Sequence, residues 1–181
     1  LEALCEQARD AGRIGLDIYR KNPKVVFAVV ESDEGGHLSE FDSTSRTGGV
    51  FRTDDGGDTW KRLSAYTPRP FYFSKIRVQP DDDKRVYLAS VDLWASDDGG
   101  VTFKGGFSRG IHPDFHAFWI DPADGEHLYC GTDGGIHVSH DRAKTWRHIN
   151  NLALGEFYNI AVDMKEDYTI CGGLQDNQNW C

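Results

Sequence analysis

No apolar run in this sequence approaches the roughly 18–20 residues that a membrane-crossing helix needs. Basic residues are sparse too: 20 Lys and Arg stand against 29 Asp and Glu, a formal net charge of −9. They are nowhere clustered, so neither nucleic acid nor an anionic membrane surface is expected as the partner. Four cysteines in 181 residues, Cys5, Cys130, Cys171 and Cys181, are too few to frame a disulfide-built mini-protein. No secretory signal can be read, so targeting defines no compartment. Helical windows are scarce as well, because Gly, Pro and β-branched residues interrupt them. Only residues 1–8, with Leu1, Leu4, Cys5 and Ala8 on one face, have helical spacing. With 39% hydrophobic and 27% charged residues, the composition is that of a folded domain with a core.

What the sequence does have is a repeat. "TDDGGDTW" starts at residue 53, "SDDGGVTF" at 96 and "SHDRAKTW" at 139, a spacing of 43 each time. A period of roughly 40–50 residues is the mark of propellers and solenoids. The flanks repeat with it. A first short apolar run lies at 14–18, 76–78, 118–120 and 160–162, and a second at 25–30, 86–90, 128–131 and 168–173. A third, at 49–52, 93–95 and 136–138, leads into the acidic stretch, and a fourth, at 60–63, 103–106 and 146–149, follows it. Four short strands per unit with Gly/Asp turns between them predict an all-β fold: a partial β-propeller of four-stranded antiparallel blades.

The unit boundaries follow. Residues 1–11 form an N-terminal segment, and blades occupy 12–64, 65–107 and 108–150. A partial fourth blade, 151–181, ends after its second strand. Three and a half blades form an open arc, which is expected to be part of a longer propeller whose remaining blades are its partners. Blade 1 carries a polar, Gly/Ser-rich insertion at 31–49. It is long enough for a lid or docking loop, and equally a tolerated surface insertion.

The acidic stretches fall at the turn between third and fourth strands. Gly57 and Gly100 supply positive φ there. Asp55, Asp98 and Asp141, with Thr53, Ser96 and Ser139, can bond nearby backbone N–H groups. Trp60, Phe103 and Trp146 anchor each turn by burial. A device present three times in one chain is expected to be structural rather than catalytic. A calcium loop is not expected, since the D-x-[DN]-x-[DN]-G-x₅-E pattern is missing.

At these residues the chain resembles the BNR or Asp-box repeat class, whose box reads Ser-x-Asp-x-Gly-x-Thr-Trp. The copies at 53–60 and 96–103 fit closely, and the third has Ala143 in place of the second Gly. The class includes sialidases, other glycoside hydrolases and the sortilin ectodomain. The phrases "GRIGLDIY", "IHPDFHAFWIDP" and "GGLQDNQNW" look like a bacterial group labelled sortilin-like or glycosyl hydrolase-like. The resemblance covers residues 12–180. It implies a propeller with its boxes at the periphery, away from any site, and an extracytoplasmic location. It also implies a protein, peptide or carbohydrate ligand.

Strand polarity puts the connections between strands 2 and 3, and between blades, on the end opposite the boxes. Candidate binding residues gather there. His112, Asp114 and His116, two apart in "HPDFH", share one side of an extended segment. They could ligate a metal or do acid–base chemistry, could contact a ligand, or could simply cap the loop. Gln175, Asp176 and Asn177 suit carbohydrate hydroxyls, and Tyr72 and Tyr158 suit sugar faces. His137 and His140 flank the third box on the far side. No cofactor is called for. Cys130 and Cys171, at matching positions of adjacent blades, are too far apart to bridge. Both are expected to be buried thiols, with Cys5 and Cys181 unassigned.

Three functions remain in view. The first is a noncatalytic binding scaffold. The second is a glycoside hydrolase, sialidase-like or otherwise, with its site opposite the boxes. Arg13-Ile14-Gly15 matches the sialidase Arg-Ile-Pro motif only in its first two residues, and a general hydrolase needs two carboxylates roughly 5–10 Å apart, one of them Asp114. The third is a metal-assisted enzyme using His112 and His116.

Overall fold

The computed structural model describes residues 14–31, 47–68, 74–151, 157–174, 176 and 179–181. The predicted helix at 1–8, Cys5, and residues 32–46 of the insertion lie outside that set. So do Tyr72, Gln175 and Asn177.

Every regular element among the described residues is a strand. The first sheet orders β1 (Ile14–Ile18), β2 (Val26–Val30), β3 (Gly49–Thr53) and β4 (Lys61–Ser64). The second orders β5 (Lys75–Gln79), β6 (Asp82–Ala89) and β7 (Leu93–Ser96). Its fourth strand is reduced to a bridge between Ala95 and Lys104. The third orders β8 (Phe115–Ile120), β9 (Leu128–Thr132), β10 (Gly135–Ser139) and β11 (Arg147–His148). The fourth orders β12 (Phe157–Val162), β13 (Ile170–Leu174) and β14 (Asn179–Trp180). All neighbours are antiparallel.

The expectation that the last unit stops after its second strand is corrected by β14, which pairs Gly172 with Trp180 and Gly173 with Asn179. That register sets Cys171 opposite Cys181, and the two form a disulfide with Cα atoms 4.0 Å apart. Cys171 is therefore not the buried thiol expected. Its partner comes from the neighbouring strand of its own hairpin rather than from the adjacent sheet. Cys130 is a buried free thiol, and burial pushes it up to about 12.

The sheets stack face to face through their middle strands. Phe27, Val29 and Val50 of the first pack with Ile76, Val78 and Leu88 of the second. Tyr87 and Leu93 of the second pack with Phe115, Phe118 and Leu128 of the third. Each such side chain contributes roughly 1.5–3 kcal/mol on burial. β1 lies against β5 and β5 against β8, so the first strands of these sheets run together at the inner side. Arginines tie the outer parts. Arg52 reaches across to Asp83 at 2.7 Å. Arg85 pairs with Asp97 at 2.6 Å and donates to the carbonyl of Arg142 at 3.4 Å. Its guanidinium also lies over the Tyr87 and Phe107 rings.

Candidate functional site

The three acidic turns share one hydrogen-bond network. In the first, Thr53 Oγ1 donates to Asp55 Oδ1 at 2.6 Å and accepts from the Gly57 N–H at 3.0 Å. Asp55 in turn accepts from the backbone N–H of Thr59 at 2.9 Å and from its hydroxyl at 2.6 Å. Ser96, Asp98, Gly100 and Thr102 repeat this at 2.7, 2.8, 2.9 and 2.6 Å. Ser139, Asp141, Ala143 and Thr145 repeat it again at 2.8, 3.0, 2.8 and 2.5 Å. The carboxylates are engaged within their own turns.

The electrostatics agree. Hydrogen bonds from Thr53 and then Thr59 hold Asp55 far below the ordinary carboxylate value. For Asp98 burial is the largest single influence and opposes ionisation. The bonds from Thr102, Ser96 and Val101 together outweigh it and hold the group at about 2. Asp141 is lowered by the same balance, with burial again opposed by Thr145 and Ser139.

Each turn is also docked the same way. The N–H of Gly56 bonds to the Lys24 carbonyl, that of Gly99 to Lys84, and that of Arg142 to Glu126, at 2.9, 2.8 and 3.2 Å. The acidic turn therefore sits beside the connection between first and second strands. The anchors divide by sheet. Trp60 packs on Phe51 and its Nε1 donates to Gly57 O within its own turn. Phe103 stacks on Tyr66 at 5.5 Å. Trp146 crosses to the preceding unit, donating to Phe107 O at 2.7 Å.

At the opposite end the structure brings "HPDFH" to the β9–β10 turn. His116 Nε2 lies 3.1 Å from Asp133 Oδ1, and the His112 side chain lies over Gly134. The shared side expected of an extended 112–116 segment is not formed. Asp114 adopts φ 70, which breaks the alternation, and His112 Nδ1 turns back to within 3.2 Å of the Pro113 carbonyl oxygen. Backbone bonds from the Asp114 and Phe115 N–H groups to Val91 and Ser90 carbonyls hold this turn against the preceding sheet. No group of three His, Cys, Asp or Glu side chains converges on a metal position among the described residues.

Asp133 belongs to this cluster and was not singled out from the sequence. "TDGG" reads there as a tight turn, and nothing local in it points to His116. Tyr158 on β12 is 68% exposed, and Asp176, at φ 54, lies in the β13–β14 connection. Both belong to the fourth unit, whereas His116 lies on β8 of the third sheet. His140 stacks on His127 with centroids 4.4 Å apart and His137 on His148 at 4.6 Å.

No protein-family model matches the chain, and no curated protein does. Solved structures do. Part of a GH74 enzyme from Niastella koreensis superposes with TM-score 0.60 at 14% identity, over 94% of this chain and 27% of that one. A GH74 xyloglucanase from Xanthomonas campestris gives 0.54 at 16% identity, over 88% and 26%. A structure of YCF48 bound to D1 peptide gives 0.54 at 14% identity, over 91% and 48%. The fold is thus that of a β-propeller in part, built of antiparallel blades. Its similarity reaches both GH74 enzymes and YCF48, and the chain spans about a quarter of the GH74 structures' length.

Proposed function

We propose that this chain belongs to a longer, extracytoplasmic Asp-box propeller that binds a protein, peptide or glycan without catalysis. On this reading the ligand face is the end carrying His112, Asp114, His116 and Asp133, and Tyr72, Tyr158, Gln175, Asp176 and Asn177 are proposed as further ligand contacts. The observation that supports it is the engagement of every acidic-turn carboxylate in its own hairpin. This leaves the repeat as scaffold and the opposite loops as the variable part, where binding residues concentrate on rigid folds. The YCF48 structure similar to this chain holds a peptide.

The test is a peptide and glycan array probed with the full-length protein. Saturable binding that weakens in His116→Ala and Asp133→Asn, with no turnover of any bound glycan, is expected. Binding unchanged by both substitutions would remove the loop end from the ligand face.

One observation favours a second reading, glycoside hydrolysis: GH74 enzymes are among the similar structures. It requires a pair of carboxylates, with Asp114 and Asp133 the candidates in this cluster. Xyloglucan turnover abolished by Asp114→Ala would establish it over the binding reading. The His112 and His116 metal enzyme has no comparable support.

A further inference from the structure

A second position repeats in the chain, and it lies on the inner strands. Asp17, Arg77 and Trp119 occupy one register, facing Phe27, Tyr87 and Tyr129 across the β1–β2, β5–β6 and β8–β9 pairs. Their neighbours in the repeat are uniformly apolar: Leu16, Ile76 and Phe118 on one side, Ile18, Val78 and Ile120 on the other. A scaffold needs apolar residues at those flanking positions. It does not need a guanidinium and an indole between them.

These three side chains line one shallow cleft where the inner strands converge, with Arg20 also lining it. The cleft is at the strands' C-terminal ends, the end of the acidic turns and the opposite end from His116. Its polar groups are unevenly committed. Asp17 Oδ2 accepts the Val78 N–H at 2.7 Å, which binds β1 to β5 and fixes the carboxylate as part of the wall. Arg77 Nη1 donates to the neighbouring Ile76 carbonyl at 2.7 Å, leaving the rest of its five-donor fork. Arg77 and Arg20 both lie near enough to Asp17 for their charges to favour its ionised form, and that one carboxylate leaves the cleft with an excess of positive charge. Trp119, whose ring packs against Tyr129 at 5.7 Å and His127 at 6.5 Å, is still 46% exposed and lines the same cleft.

We propose that this cleft binds a small organic anion that joins an oxyanion to a six-membered ring with a face that stacks on an indole. The oxyanion is taken by Arg20 and Arg77, and the ring lies on Trp119. Two guanidiniums offer charge-assisted bonds to an oxyanion. Apolar Val78 and Ile120 complete the lining. A neutral ring gains only the stacking, and an anion without a ring gains only the charge. The site is separate from the loop end and does not depend on the function proposed for it.

Isothermal titration of the full-length protein tests this with benzoate and glucuronate as two sources of the same chemistry. Benzyl alcohol, glucose and acetate serve as controls. Benzoate, glucuronate or both are expected to bind saturably and more tightly than their neutral counterparts and than acetate. Arg20→Ala, at an exposed residue, is expected to weaken the anions about tenfold with folding intact. Trp119→Phe is expected to retain binding, and Trp119→Ala to reduce the ring-bearing anions to the level of acetate. His116→Ala is expected to change nothing. Absence of saturable binding by both anions, equal binding of the neutral controls, or unchanged affinity in both Arg20→Ala and Arg77→Gln would overturn the proposal.

Discussion

Asp98 accepts four hydrogen bonds that favour its ionised form, so its protonation state is coupled to folding. Its group titrates at about 2 in the folded chain, against an ordinary value of 3.8. A carboxylate depressed by folding adds stability that is complete above the unfolded value and lost as pH falls through the folded one. Stability is therefore expected to decline between pH of about 4 and about 2. Asp55 and Asp141, shifted in the same direction, add to the decline. Urea midpoints measured across that window are expected to show a shallower slope in Asp98→Asn, and an unchanged slope would contradict the assignment. Gly100 makes a second residue-scale case. Its φ is 91, and an added Cβ would sit 3.3 Å from Val50 Cγ1 of the adjacent sheet. Gly100→Ala is expected to cost about 1–2 kcal/mol through left-handed backbone strain, read as a lowered urea midpoint. Ala143 holds the equivalent place in the third turn at φ 68, so the strain is tolerable and the chain should still fold.

Hairpins are the unit of local order. In the fourth sheet, the strand β14 is two residues long and is joined to β13 by the Cys171–Cys181 disulfide, which closes a separation of 10 residues. Cross-linking so short a loop is worth roughly 2–3 kcal/mol on the chain-entropy account. Cys181→Ser is therefore expected to speed amide exchange in β13 and β14 while leaving β5, β6 and β8 protected. Uniform acceleration across all sheets would mean that the hairpin is coupled to the rest of the fold. The elements also explain where reading strand by strand succeeded. β2 and the last four residues of β6, 86–89, are continuous apolar runs because they are buried on both faces. The fourth strand of the second unit was legible as "FKGG" yet forms only one bridge, since its two glycines lack side chains to pack and weaken a strand.

At the scale of the 181-residue chain, apolar residues on two sheets are exposed. Ile14, Leu16 and Ile18 on β1 are 36%, 50% and 53% exposed, and Ile160 and Val162 on β12 are 61% and 45% exposed. Contiguous apolar surface of this kind drives association. The 181-residue chain alone is expected to self-associate in sedimentation experiments, and Leu16→Glu with Ile160→Glu to reduce it. A monodisperse monomer at high concentration would show that these faces are not adhesive.

The 43-residue period, the strand-turn alternation and the bonding role of Asp55, Asp98 and Asp141 were all determined by the sequence. Each depends on contacts between residues two to four apart or on side-chain alternation within a strand, and both survive in a linear reading. Only the tertiary structure decided that Asp133 meets His116, that Asp17, Arg77 and Trp119 share a cleft, and that Cys181 pairs with Cys171. The first two arise where separate segments are brought together by sheet stacking and turn geometry. The third depends on the register of a strand too short to announce itself. Asp114 makes the same point in reverse: its residue spacing implied one shared side, and a single left-handed backbone angle, imposed by the preceding sheet, redirected the segment.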